Sequence, residues 1–185
     1  MITGLLLAAG AGRRAGGPKA LRHDHDGTGW LRRGVRVLLA GGCSEVVVVL
    51  GASADAAGRL VRDEPGVSVT VVENWAQGIG ASLRCGLDAV VASGAGGACV
   101  HLVDLPDVGP TVVARLLDHD HGVATLARAV YRGEPGHPVL VGRGHLHAMA
   151  AELTGDDGGR RYLVDHDVTL VECGDLADGR DVDDA

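Results

Sequence analysis

Residues 2–21 read ITGLLLAAGAGRRAGGPKAL. The opening run, Ile2–Ala9, is apolar almost throughout and shows no alternation of polar and apolar positions. That is the pattern of a central strand buried on both faces. The run ends at Gly10, and Gly12 follows. Glycines there let the chain turn tightly and bring amide N–H groups close to a ligand. Arg13, Arg14 and Lys19 place positive charge around the same turn. A buried first strand delivering a glycine-rich, basic loop predicts an open α/β sheet with an anion cradle at the strand's carboxyl end.

Outward from this loop, strands and helices alternate. Trp30–Ala40 carries apolar residues at helical spacing and is closed by Gly41 and Gly42. Glu45–Leu50 reads as a second buried strand, Ala54–Arg62 as a helix and Val67–Glu73 as a third strand. Ile79–Ala92 reads as a helix and Cys99–Val103 as a fourth strand. Thr111–Leu117 is a helix opened by Pro110, a residue favoured at the first helical position. Beyond residue 120 the rhythm changes. Val123–Tyr131 and His137–Val141 are strand-like, joined by the turn-rich Arg132–Gly136. His145–Leu153 and Gly159–Leu163 are helical, and Val168–Glu172 is a last strand. The expectation is a three-layer α/β/α, Rossmann-like domain over residues 1–185, with a mainly parallel, mixed sheet.

Composition narrows the function. Asp plus Glu number 24 against 17 Lys plus Arg, a net charge of −7, which argues against a partner such as duplex nucleic acid. Aromatics are 2% with no Phe, too few for base-stacking platforms of the RNA-binding kind. The apolar runs are too short for a membrane span and no leader is apparent, so a cytoplasmic protein is expected. Cys43, Cys85, Cys99 and Cys173 lack metal spacing and read as small hydrophobes. Sixteen of the 17 cations are Arg, and Lys19 is the single Lys, which marks a place where a compact ammonium is wanted. The runs His23–Asp26, Asp118–His121 and Asp165–Asp167 read as solvated surface rather than as metal sites.

Two familiar glycine motifs fit the loop poorly. A phosphate-binding GxxxxGK[ST] needs Lys directly after its last Gly, whereas Pro18 precedes Lys19 here. Residues 10–15 do give GxGxxA, a dinucleotide fingerprint, yet no carboxylate follows the second strand until Asp55.

The whole string LAAGxGxRxGxPK, from Leu7 to Lys19, resembles the signature loop of the MobA-like nucleotidyltransferases. Further segments in that family's order are Asn74–Leu87 (NWAQGIGASLRCGL), Asp104–Pro106 (DLP), Arg132–Leu140 (RGEPGHPVL), Gly155–Arg160 (GDDGGR) and Asp181–Asp184 (DVDD). They are most similar to the branch acting on the molybdenum cofactor. The resemblance implies transfer of a nucleotide from an NTP to a phosphorylated pterin, release of pyrophosphate and a need for Mg²⁺. It puts Leu7, Ala8, Ala9, Gly10, Gly12, Gly80 and Ser82 on the nucleotide, and makes Arg14 and Lys19 the phosphate-holding catalytic cations. Asp104, at the carboxyl end of a strand, becomes a catalytic metal ligand, with Asp183 second and Asp181 its alternate. Gly136, His137 and Pro138 fall on the acceptor side. Leu-Ala-Ala-Gly at residues 7–10 goes with cytosine in the family, which implies CTP. A molybdoenzyme client or maturation factor is the implied protein partner. Rival readings are a guanylyltransferase or other NTP transferase, an NAD(P)H-dependent oxidoreductase on this fold, and a pterin carrier without catalysis.

Overall fold

The computed structural model describes residues 1–12, 16–119 and 122–182. Seven strands form one sheet: β1 (Thr3–Ala8), β2 (Glu45–Leu50), β3 (Val67–Val71), β4 (Gly97–Leu102), β5 (Leu126–Tyr131), β6 (Glu134–Gly142) and β7 (Thr169–Glu172). Their order is β3-β2-β1-β4-β6-β5-β7. All neighbours run parallel except at β6, which is antiparallel to both β4 and β5. The helices are α1 (Trp30–Ala40), α2 (Ala54–Val61), α3 (Ile79–Ser93), α4 (Pro110–Asp118), α5 (Arg143–Glu152) and α6 (Arg160–Val164).

Every residue of β1 is buried, as its continuous apolar run requires. Its side chains divide between two cores. Leu6 and Ala8 pack with Leu31, Val35 and Leu38 of α1 and with Val112, Val113 and Leu116 of α4. Leu5 and Leu7 pack with Leu83 and Leu87 of α3 and with Leu146 and Met149 of α5. Strand alternation thus feeds one helical layer on each face, and the expected three-layer α/β/α architecture is the observed one.

The region after residue 120 departs in detail from the expectation. The hairpin turn is only Arg132–Gly133, with φ of 56° and 84°, and Tyr131 pairs directly with Glu134. Two consecutive left-handed residues make the tight turn whose twist suits a hairpin. Its free amides are capped from outside: the Glu172 carboxylate accepts from Arg132 N at 2.9 Å and from Gly133 N at 3.1 Å. Pro135 and Gly136 therefore belong to β6 rather than to the loop. β5 starts at Leu126, three residues later than periodicity suggested, and a bulge separates Arg128 from Val130.

Residues 22–29 form a clip on α1. His23 bridges to Gly29, and the Asp24 carboxylate accepts from the Trp30 indole N–H at 2.7 Å while pairing with Arg33. The expectation of a solvated surface therefore fails at Asp24, because its charge satisfies donors at the helix start. Asp120 and His121 of the second run lie outside the described residues. In the third, Asp165 pairs loosely with Arg161 at 3.8 Å. Among the described residues no three His, Cys, Asp or Glu gather as a metal site. Cys43, Cys99 and Cys173 are buried as small hydrophobes and Cys85 is half-buried, all four as free thiols.

One core residue is out of place chemically. His101, paired with Leu6 across β1 and β4, is 1% exposed, and its Nδ1 has no hydrogen-bond partner. Burial first, then the nearby His137 and Arg33, push its pKa down to about 3. Unfolding restores a value near 6.5, so between pH 6.5 and about 3 the unfolded chain binds more protons at this site. Stability at the site is then whole above pH 6.5 and drains away as the pH falls toward 3. His101→Leu removes that drain, so its melting temperature should fall less than the wild type's between pH 6.5 and 4. Parallel melting curves for the two proteins would rule this out.

Candidate active site

The sheet changes direction at β1. The chain runs from β1 to β2 to β3 on one side and returns with β4 on the other. Ligands of open α/β sheets bind in the crevice beyond the strands' carboxyl ends at such a point. A cleft of about 610 Å³ opens there. The loop after β1 (Leu7–Gly12), Lys19, the end of β4 (Leu102–Asp104), Trp75, Ala76, Gly78, Ile79, Ser82 and Asp156 line it.

The loop is closed on itself by a bond from Gly17 N to Gly12 O of 3.0 Å. Gly12 has φ of 56°, and a Cβ there would sit 1.9 Å from the Gly17 carbonyl oxygen. Only glycine fits both the conformation and the space. Pro18 then sets up a single 3-10 turn, Lys19–Leu21, with Leu21 N bonded to Pro18 O at 3.0 Å. This turn brings Lys19 back to the cleft. Its ammonium stands 2.7 Å from Asp104 Oδ2, with the two side chains 17% and 15% exposed.

Asp104 is also where the C-terminal segment arrives, since Val182 N donates to the Asp104 carbonyl at 3.0 Å. The backbone thus brings Asp181, next to Val182, toward the Asp104 end of the cleft. Arg14 and Asp183, both expected in the site, lie outside the described residues. The donor set fits a Mg²⁺-type ion, which keeps several waters and takes one or two carboxylates plus substrate phosphates. Asp104 would supply the carboxylate, and the rest of the shell would come from water, phosphate oxygens and the C-terminal acids.

Residues 4–170 match the family model described as MobA-like NTP transferase domain. The chain belongs to that family. Among its relatives, the nicotine blue oxidoreductase of Paenarthrobacter nicotinovorans is 38% identical over 192 residues, covering 98% of this chain and 92% of that protein. Rv0371c from Mycobacterium tuberculosis H37Rv superposes with a TM-score of 0.77 at 33% identity, over 93% of this chain and 87% of that one. A second Rv0371c structure, a manganese complex, gives 0.74 at 31% identity over 93% and 88%. A divalent metal therefore occurs in a structure of this family.

In this MobA-like chain, Leu7, Ala8, Ala9, Gly10, Gly12, Lys19, Ser82 and Asp104, all expected in the site from sequence, line the cleft. Gly80 is one step removed. Its N–H donates to Gly155 O at 2.9 Å, which fastens the 155–156 loop against the first turn of α3. Gly136, His137 and Pro138 are not brought to the cleft. They lie on β6, where Arg128 Nε donates to Gly136 O at 2.8 Å and the Tyr131 hydroxyl donates to His137 O. Burial and the Arg128 guanidinium lower the His137 pKa to about 4, so its ring is neutral near pH 7. Two of the segment's backbone carbonyls are thus bonded within the hairpin.

Sequence reasoning passed over Trp75, Ile79 and Asp156 as site residues. Each belonged to a segment already singled out, but nothing in the spacing said which side chains would face the cleft. Asp156 is carried in by the 155–156 loop, which seats on Gly78; a Cβ on Gly78 would meet Asp156 Oδ1 at 2.4 Å.

Proposed function

We propose that this chain transfers CMP from CTP to the terminal phosphate of a molybdopterin-type acceptor, with Mg²⁺, releasing pyrophosphate. The observation that carries the reading is the Lys19–Asp104 contact: one ammonium and one carboxylate, 2.7 Å apart, meet between the glycine loop and the end of β4. Attack of an anionic phosphate on an anionic α-phosphorus is slowed mainly by charge repulsion and misalignment. Loop amides from Gly10 to Gly12 and the Lys19 ammonium offset charge on the triphosphate, and Arg14 adds to them from the same loop. Asp104, with Asp183 or Asp181, would hold the Mg²⁺, which when bound neutralises charge on the phosphate oxygens. The acceptor's own phosphate is the nucleophile, so no Ser or Cys nucleophile is required.

The case for cytosine rests on Ala9, which lines the cleft and whose carbonyl accepts from Ala52 N at 2.9 Å. Glycine at this place leaves more room for a purine. A molybdoenzyme or its maturation factor is the client proposed for the product. The proposed compartment is the cytoplasm; among the described residues no helix is long and apolar enough to cross a membrane.

A second reading, NAD(P)H-dependent reduction, is favoured by the name of the 38% identical relative. The local geometry speaks for the first. A dinucleotide fold runs from its glycine loop directly into a helix whose N-terminus holds the pyrophosphate. Here the first α-helix begins only at Trp30, and the backbone at Gly51, just after β2, is covered by Trp75. Pyrophosphate release with Mg²⁺, molybdopterin and CTP, GTP or ATP in turn tests the proposal. CTP should give the fastest release. Consumption of NADPH with no pyrophosphate from any nucleotide would replace this reading with the oxidoreductase one.

A further inference from the structure

We propose that Trp75 is the platform on which the heterocyclic base of the nucleotide stacks, making it a determinant of affinity for the nucleoside end; this rests on the nucleotidyl-transfer reading. The chain has two Trp, two Tyr and no Phe. Trp30, Tyr131 and Tyr162 are 4%, 5% and 2% exposed. Trp75 is the exception, partly exposed and lining the cleft. A large aromatic surface left in contact with water forgoes a sizeable gain from burial, and a flat ligand restores it.

The indole is held in place rather than loosely displayed. Its Cβ and Cγ press on the backbone of Gly51, where an added Cβ would meet them at 2.6 and 2.7 Å and the Ala9 carbonyl at 2.8 Å. Gly51 follows β2, Asp104 follows β4, and β1 runs between them. Gly51, on which Trp75 rests, and Asp104 therefore follow strands about two spacings apart, ~10 Å, on opposite sides of β1. Ile79, 38% exposed, adjoins the indole's end of the same wall. One end of the cleft thus offers the flat indole and Ile79, with Asp156 beside them on Gly78, and the other the Lys19–Asp104 pair. A nucleotide laid across the end of β1 matches both, base to Trp75 and phosphates to Lys19. Stacking accepts any base, because every base has a π-face.

Iodide quenching of tryptophan emission tests this on the unaltered protein, because Trp75 is accessible and Trp30 is not. CTP should shield the accessible component. Inorganic triphosphate should raise the melting temperature and leave that component open. Trp75→Leu should raise KM for CTP roughly 5- to 100-fold, the scale of base–aromatic stacking, with kcat changed less than about 3-fold. Trp75→Phe should recover most of the loss. The proposal is overturned if CTP and inorganic triphosphate shield Trp75 equally, if Trp75→Leu keeps the wild-type KM for CTP, or if only the acceptor's KM rises. A wild type that neither releases pyrophosphate from any nucleotide nor is stabilised by one would end the parent reading, and this one with it.

Discussion

Lys19→Met and Asp104→Asn should each lower turnover by about 10²–10³-fold, the range for removing one charge-stabilising group from a preorganised site. The two residues meet at 2.7 Å and are little exposed, so Lys19→Met leaves the Asp104 carboxylate without its ammonium and Asp104→Asn takes one carboxylate from Lys19. Some stability is lost as a result, less than the ~3–5 kcal/mol of a fully buried broken pair because both groups still reach water. That cost confounds a simple activity assay, and the double variant Lys19→Met/Asp104→Leu separates the effects. With both members of this contact gone, neither charge faces the other's vacated place, and the melting temperature should return toward the wild type's. Turnover should not return. It should lie within about tenfold of the slower single variant, since groups acting as a unit are non-additive. A double variant that recovered both stability and turnover would make the pair a structural clip and remove Lys19 and Asp104 from the chemistry.

That pair shows how much of the site was legible beforehand. A lone Lys among sixteen Arg, beside glycines and after a buried run, and an Asp closing another apolar run, are local signals. Strand order then brings them together, because both follow strands adjacent in the sheet. The fold was legible for the same reason: β1, β2 and β4 are buried on both faces, so each reads as a short apolar run bounded by turn residues. Where local signals compete, reading failed. Pro135 and Gly136 look like turn residues, yet the turn is made three residues earlier by Arg132–Gly133 and is stabilised by Glu172, 39 residues beyond Gly133. His101 sits in an apolar strand and gave no sign that its Nδ1 would be buried without a partner. Trp75 and Asp156 face the cleft because Gly51 and Gly78 give them seats, and such contacts across the fold leave no periodic trace. A family motif singles out His137, and its carbonyl accepts from the Tyr131 hydroxyl within the hairpin.

Gly12→Ala should be the most damaging single methyl that can be added to this loop. The methyl would lie 1.9 Å from the Gly17 carbonyl oxygen, and the backbone at φ of 56° already disfavours any side chain. To relieve the overlap the loop must open the Gly17 N to Gly12 O bond, and with it the curvature that aims its amides at the cleft. Displacing a positioning element by about 1 Å typically costs 10²-fold in rate, so kcat/KM for the nucleotide should fall by about that factor. Global stability should fall less, by roughly 1–2 kcal/mol or some 2–8 °C for a chain of this size, since the loop lies outside the two cores. Gly10→Ala supplies the contrast. Nothing lies within 4 Å of the methyl it would carry, and its φ is not positive. Its melting temperature should match the wild type's, and any loss should appear in nucleotide KM, because the methyl would intrude only where phosphate approaches the backbone. Wild-type nucleotide KM and kcat in Gly12→Ala would mean that the triphosphate is not held by this turn.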